Sequence, residues 1–176
     1  MPSARKRLAA RRTARDTANR ALRADGAGAI EVAVDASVID GVGAWAWAAA
    51  DGSCGAGTAA ADVVAAELEA IAAGLRAVCG LATERPARDQ DPGTRVLSDS
   101  RAALDLIRRA RTQGRGHEVP AIARALADAL AALEQAPGRV ELAHVRAHRG
   151  HPLNERAHAL ALGEARRGSA SGPGRG

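Results

Sequence analysis

The stretch Ile30-Glu31-Val32-Ala33-Val34-Asp35 places apolar side chains at every second position, the period of a β-strand with one face toward a core. Gly43-Ala44-Trp45-Ala46-Trp47 alternates again, and Asp51-Gly52 is a hairpin signal leading into a third short strand around Ser53–Ala60. The period then changes. Val64, Leu68, Ile71, Leu75 and Val78 fall at i, i+4, i+7, i+11 and i+14, a single stripe along one side of a helix. Working outward, Arg95–Ser98 reads as a strand and about Ser100–Arg111 as a helix. A further helix is expected over about Pro120–Gln135, with Pro120 suited to its first turn. Arg139–Val145 alternates as a strand, and Pro152–Arg167 reads as a closing helix. The order βββ-α-β-α-α-β-α predicts an α/β fold, with three antiparallel strands, then crossovers, and helices packed on a mixed sheet.

A chain of 176 residues suits one domain with a sizeable core. Alanine supplies 46 of those residues, so that core must be built largely from small side chains. The only aromatics are two Trp, which argues against a module that stacks single-stranded bases on aromatic rings. Lys6 is the only lysine among 25 basic residues, a bias that fits a GC-rich coding sequence and carries no functional meaning. The charge is uneven. Residues 1–25 hold Arg5, Lys6, Arg7, Arg11, Arg12, Arg15, Arg20 and Arg23 against Asp16 and Asp25, a net of +6, so with a total of +5 the remainder carries −1. We therefore divide the chain into a basic N-terminal arm over 1–25, read as mobile, a folded domain over 26–167, and a flexible Gly- and Ser-rich tail over 168–176. Thr83–Gly93, with Pro86 and Pro92, reads as a loop. Cys54 and Cys79 are isolated thiols that suggest neither a disulfide framework nor a zinc knuckle. No run of 18 apolar residues occurs and the start lacks a secretory pattern, so the expectation is a cytoplasmic protein without a membrane partner.

Asp35 and Asp99 each close a predicted strand, where open α/β sheets place their sites. Taken singly, Asp35 equally suits a turn-starting residue and Asp99 a helix N-cap. Glu67 is more informative, because it lies about 60° from the centre of the Val64–Val78 stripe, whereas Glu69 lies about 140° away and is expected in water. A carboxylate on the border of a buried face needs a partner, and neighbouring carboxylates aggravate the cost unless a cation sits among them. Three convergent carboxylates suggest a hard ion such as Mg²⁺. Four of the five histidines fall in His144–His158, namely His144, His148, His151 and His158. A zinc site is disfavoured by the absence of nearby cysteine and of an HxxxH pair on one helix.

The series Val34-Asp35-Ala36-Ser37, Ala66-Glu67-Leu68, Leu97-Ser98-Asp99-Ser100 and His144-Val145-Arg146-Ala147-His148-Arg149-Gly150-His151-Pro152-Leu153-Asn154-Glu155-Arg156-Ala157-His158 resembles the type 1 ribonuclease H family over about residues 29–166. The last segment is its most specific part. The resemblance implies a five-stranded mixed sheet and a metal-dependent endoribonuclease that hydrolyses the RNA strand of RNA–DNA hybrids. It implies two ions, Mg²⁺ or Mn²⁺, with Asp35 bridging both and Glu67 and Asp99 each completing one. It also implies that His148 aids proton transfer, that Ser37, Arg101 and Asn154 contact the hybrid, and that the protein acts as a monomer. Where the family carries a fourth carboxylate this chain has His158, which would enter the metal set as a nitrogen donor without a negative charge. Val63 and Val64 replace an asparagine pair, Ala36 a glycine and Arg101 a common Gln; Arg108–Arg115 is a shorter basic stretch than the handle of some members. Two other readings remain open: an RNase H-like hybrid-binding protein with weakened or no catalysis, and a nucleic-acid-binding interaction protein that works through the arm.

Overall fold

Two tight turns set the first three strands. β1 (Ile30–Ile39) and β2 (Val42–Ala49) are joined by Asp40-Gly41, both in the left-handed region (φ 49° and 76°), the turn whose twist matches antiparallel strands. β2 and β3 (Cys54–Ala59) meet through the anticipated Asp51-Gly52, where the Asp51 carboxylate accepts from the Ser53 amide at 2.8 Å and its hydroxyl at 2.6 Å. The computed structural model describes residues 30–83, 93–114, 116–147 and 149–171. The basic arm, most of the Thr83–Gly93 segment, Arg115, His148 and residues 172–176 of the tail lie outside the described residues.

The remaining elements are α1 (Val63–Thr83), β4 (Thr94–Ser98), α2 (Arg101–Gln113), α3 (Pro120–Gln135), β5 (Val140–His144) and α4 (Pro152–Ala170). The sheet runs β3-β2-β1-β4-β5; β4 is parallel to β1 and β5 parallel to β4, and the other pairs are antiparallel. This is the mixed α/β sheet expected from the sequence. Among the boundaries that differ from expectation, two have a visible cause. β1 does not stop at Asp35 but pairs with β2 up to Ile39, so Asp35 sits opposite Ala46 inside the ladder. α4 runs three residues past Arg167, because its last turn docks on the first hairpin: Gly168 lies against Val42, and the Ser169 hydroxyl donates to Asp40 at 2.8 Å.

Alternation along β1 divides the core. Val32 and Val34 join Leu68, Ile71, Leu75 and Val78 of α1, with Val96, Ile107 and the apolar face of α3. On the other side Ala33 packs with Leu97 and with Leu153 of α4. Small side chains let layers approach closely: Ala157, Ala161 and Ala165 of α4 and Ala46 and Ala48 of β2 are all fully buried. The two Trp rings take the opposite solution, each lying over a glycine of the edge strand, Trp47 over Gly55 and Trp45 over Gly57.

Gly74 marks the tightest approach of α1 to the sheet, where a Cβ would stand 2.4 Å from Cγ1 of Val34. Gly74→Ala gains about 1 kcal/mol of helix propensity and meets an overpacking cost of about 1–3 kcal/mol. We expect a net loss of stability in chemical denaturation, although the same change at an exposed helical glycine is stabilising; an equal or higher midpoint would show that α1 can shift to admit the methyl.

Candidate metal centre

Three local structures deliver three carboxylates to one point. Asp35 alternates with Val34 and so faces the α4 side of β1. Glu67 comes from the start of α1, which is fixed by Asp62: its Oδ1 accepts from the Ala65 amide at 2.9 Å. Asp99 follows β4, whose end is tied to β5 by the Val145 amide donating to the Ser98 carbonyl at 3.0 Å. Oxygens of Asp35, Glu67 and Asp99 all lie within 4.8 Å of one another. Asp35 is 3% exposed, Glu67 8%, and Asp99 half-buried.

The simpler roles of these residues are filled by others. Asp35 starts no turn, since it is paired within a ladder. The N-cap of α2 is Ser100, whose hydroxyl accepts from the Ala103 amide at 3.4 Å, so Asp99 is left to the cluster. Glu69 departs from expectation. It is half-buried instead of immersed in water, and its Oε2 accepts from the Ala60 amide at 3.0 Å, tying the β3–α1 connection.

Glu67 carries the electrostatic strain. Its Oε2 is buried without a hydrogen-bond partner. Burial, then the charges of Asp35 and Asp99, push its pKa from 4.5 to about 8. A hard divalent cation among these oxygens would offset both causes, and an all-oxygen donor set is what such a cation takes. The residues present therefore fit the ion suggested by the sequence.

α4 presents two side chains one turn apart to the cluster. Asn154 Nδ2 donates to Asp99 Oδ2 at 3.3 Å, and His158 Nδ1 stands 3.0 Å from Asp35 Oδ2. Asn154, expected to contact the hybrid, is 3% exposed. His158 approaches through Asp35 and does not belong to the compact trio. Ser37 lies half-buried two residues beyond Asp35, and Arg101 is exposed at the first position of α2. His148 lies outside the described residues. Among the described residues no second group of metal-ligating side chains gathers; His144 is exposed at the end of β5 and His151 precedes α4. Sequence reasoning missed the link from Asn154 to Asp99, although the i, i+4 spacing of Asn154 and His158 was visible.

The raised pKa fixes a pH dependence. Below about pH 4.5 Glu67 is protonated in folded and unfolded chains alike; from there to about 8 the unfolded chain releases a proton that the folded one keeps. Stability contributed by the protonated Glu67 is thus lost as pH rises through that window. In chelator, thermal midpoints at pH 5 and pH 8 should differ more for the wild type than for Glu67→Gln, and added Mg²⁺ should narrow the gap. Parallel pH profiles for the two proteins would remove Glu67 as the strained group.

No protein-family model matches the chain, and no curated protein matches it. Solved structures do. RNase H1 of the halophilic archaeon Halobacterium salinarum NRC-1 is 23% identical, with a TM-score of 0.56, covering 78% of this chain and 100% of that one. The N-terminal RNase H domain of a Mycobacterium tuberculosis protein, solved as a fusion with maltose-binding protein, is 19% identical, with a TM-score of 0.59, over 83% of this chain and 99% of that one. The sheet order, the helices on its two faces and these structural neighbours together give the chain the RNase H-like fold.

Proposed function

We propose that this protein is a metal-dependent endoribonuclease that hydrolyses the RNA strand of RNA–DNA hybrids. The observation that carries the reading is the carboxylate trio within 4.8 Å, containing a buried, unpartnered Glu67 oxygen, on an RNase H-like sheet. Asp35, Glu67 and Asp99 would hold Mg²⁺ or Mn²⁺, with Asp35 serving both ions of a pair and Glu67 and Asp99 one each. Bound there, such ions supply activation of a water and charge neutralisation at the leaving 3′-oxygen.

The chain's own groups do the rest. Asp35 is anchored in paired backbone and Asp99 directly follows a strand end tied to β5, so their oxygens converge with little reorganisation. His148 is assigned proton transfer, since imidazole exchanges a proton near neutral pH. Ser37 and Arg101, beside the two aspartates in the chain, are assigned to the hybrid backbone, and the arm over 1–25 adds salt-dependent affinity for its phosphates. No helix among the described residues is long and apolar enough to cross a membrane.

Purified protein should cut the RNA of a labelled hybrid in Mg²⁺ or Mn²⁺ and leave duplex DNA intact. Asp35→Asn and Asp99→Asn should each lower the rate by at least about 100-fold, the upper end of what losing an outer partner of a metal ligand costs. Cleavage that persists undiminished in EDTA would sink the metal-dependent reading.

The 3.0 Å approach of His158 to Asp35 favours a second reading, in which the imidazole in place of a fourth carboxylate weakens catalysis and leaves a hybrid-binding protein. Its substitution decides whether the imidazole is a ligand. His158→Asp restores a negative oxygen donor, so it should raise Mg²⁺-supported activity more than Mn²⁺-supported activity, because Mn²⁺ tolerates nitrogen better. An unchanged Mn²⁺/Mg²⁺ activity ratio would show that His158 is not a metal ligand and acts only as the partner of Asp35.

A further inference from the structure

We propose that Asn154 is a positioning residue of the metal centre: its amide nitrogen holds Asp99, and its carbonyl oxygen is reserved for the hydrated cation. The inference rests on the metal-centre reading above and adds a residue to it. Asn154 is 3% exposed, its Nδ2 donates to Asp99 Oδ2 at 3.3 Å, and its Oδ1 is buried with no hydrogen-bond partner.

The distribution of buried polar residues supports the assignment. Five are buried among the described residues: Asp35, Glu67, Thr94, Ser98 and Asn154. Asp35, Glu67 and Asn154 are at the centre, Ser98 precedes Asp99, and Thr94 lies at the other end of β4. On α4 the other buried residues are Leu153, Ala157, Ala161 and Ala165, all apolar. An amide whose oxygen is left unmatched destabilises a fold, and an apolar side chain of the same shape relieves that cost. A purely structural role is therefore poorly served by Asn154. A group that orients a ligand with one end and receives a donor from the ion's hydration shell with the other uses both halves of the amide, as outer partners of metal ligands do.

The chain with its arm, freed of metal, should be titrated with Mn²⁺ by water-proton relaxation or calorimetry, alongside thermal melts in chelator. Asn154→Leu keeps the branched shape, in a somewhat larger side chain, and removes both polar atoms. We expect its metal-free melting temperature to match or exceed wild type while its Mn²⁺ dissociation constant rises by about tenfold or more. Asn154→Ser, which keeps a hydroxyl able to donate and accept, should regain part of that affinity, and it carries the comparison if the Leu variant does not fold. A lower melting temperature with unchanged Mn²⁺ affinity in the folded variants would mark Asn154 as structural and overturn the proposal. Asp99→Asn separates the two levels. If it binds Mn²⁺ like wild type, the metal-centre reading itself fails; if it loses binding while Asn154→Leu keeps it, only the assignment of Asn154 fails.

Discussion

Three carboxylates, two of them buried, are held within 4.8 Å of one another, and the rest of the domain is what keeps them together. The strain falls on Glu67, whose pKa is pushed up to about 8 by burial and by Asp35 and Asp99. A loop could not hold such a cluster, because its backbone would move to separate the charges. Asp35 is instead locked inside the β1–β2 ladder, Asp99 follows a strand end tied to β5, and Glu67 sits just inside a helix capped by Asp62. The side chains of α4 complete the arrangement with one contact to each aspartate.

Close packing makes that rigidity possible in a chain with almost no large aromatic residues. Alanine on α4 and β2 brings the helix near enough for Asn154 and His158 to reach the aspartates, and Gly168 lets its last turn settle on Val42. On the opposite face Gly74 seats α1 against Val34, seven residues beyond Glu67. The many small residues thus shape the centre indirectly. They set the distance between layers, and that distance sets which side chains meet.

His158 shows how one position can serve two chemistries. An imidazole beside Asp35 can take the place of a ligand, or donate to Asp35 and orient it; the first adds nitrogen to the donor set, and the second leaves all-oxygen coordination intact. In both cases the site carries one negative charge fewer than it would with a carboxylate there. The neutralisation of any bound cation would then fall more heavily on Asp35, Glu67 and Asp99.

Much of this was legible from residues alone. The switch from alternation in Ile30–Asp35 to the Val64–Val78 stripe determined the element order, and the border position of Glu67 singled it out, because periodicity records which side of each element is buried. The Asp40-Gly41 turn, the continuation of β1 to Ile39 and the docking of α4 to Ala170 depended on pairing between distant segments, which periodicity does not report. The same holds for Glu69, turned back to the Ala60 amide, and for Asn154, whose link to Asp99 spans 55 positions in the chain. Local pattern determined which residues face inward; only the packed layers decided which of those inward-facing groups meet, since distances between remote carboxylates and amides are set by how closely helices approach the sheet.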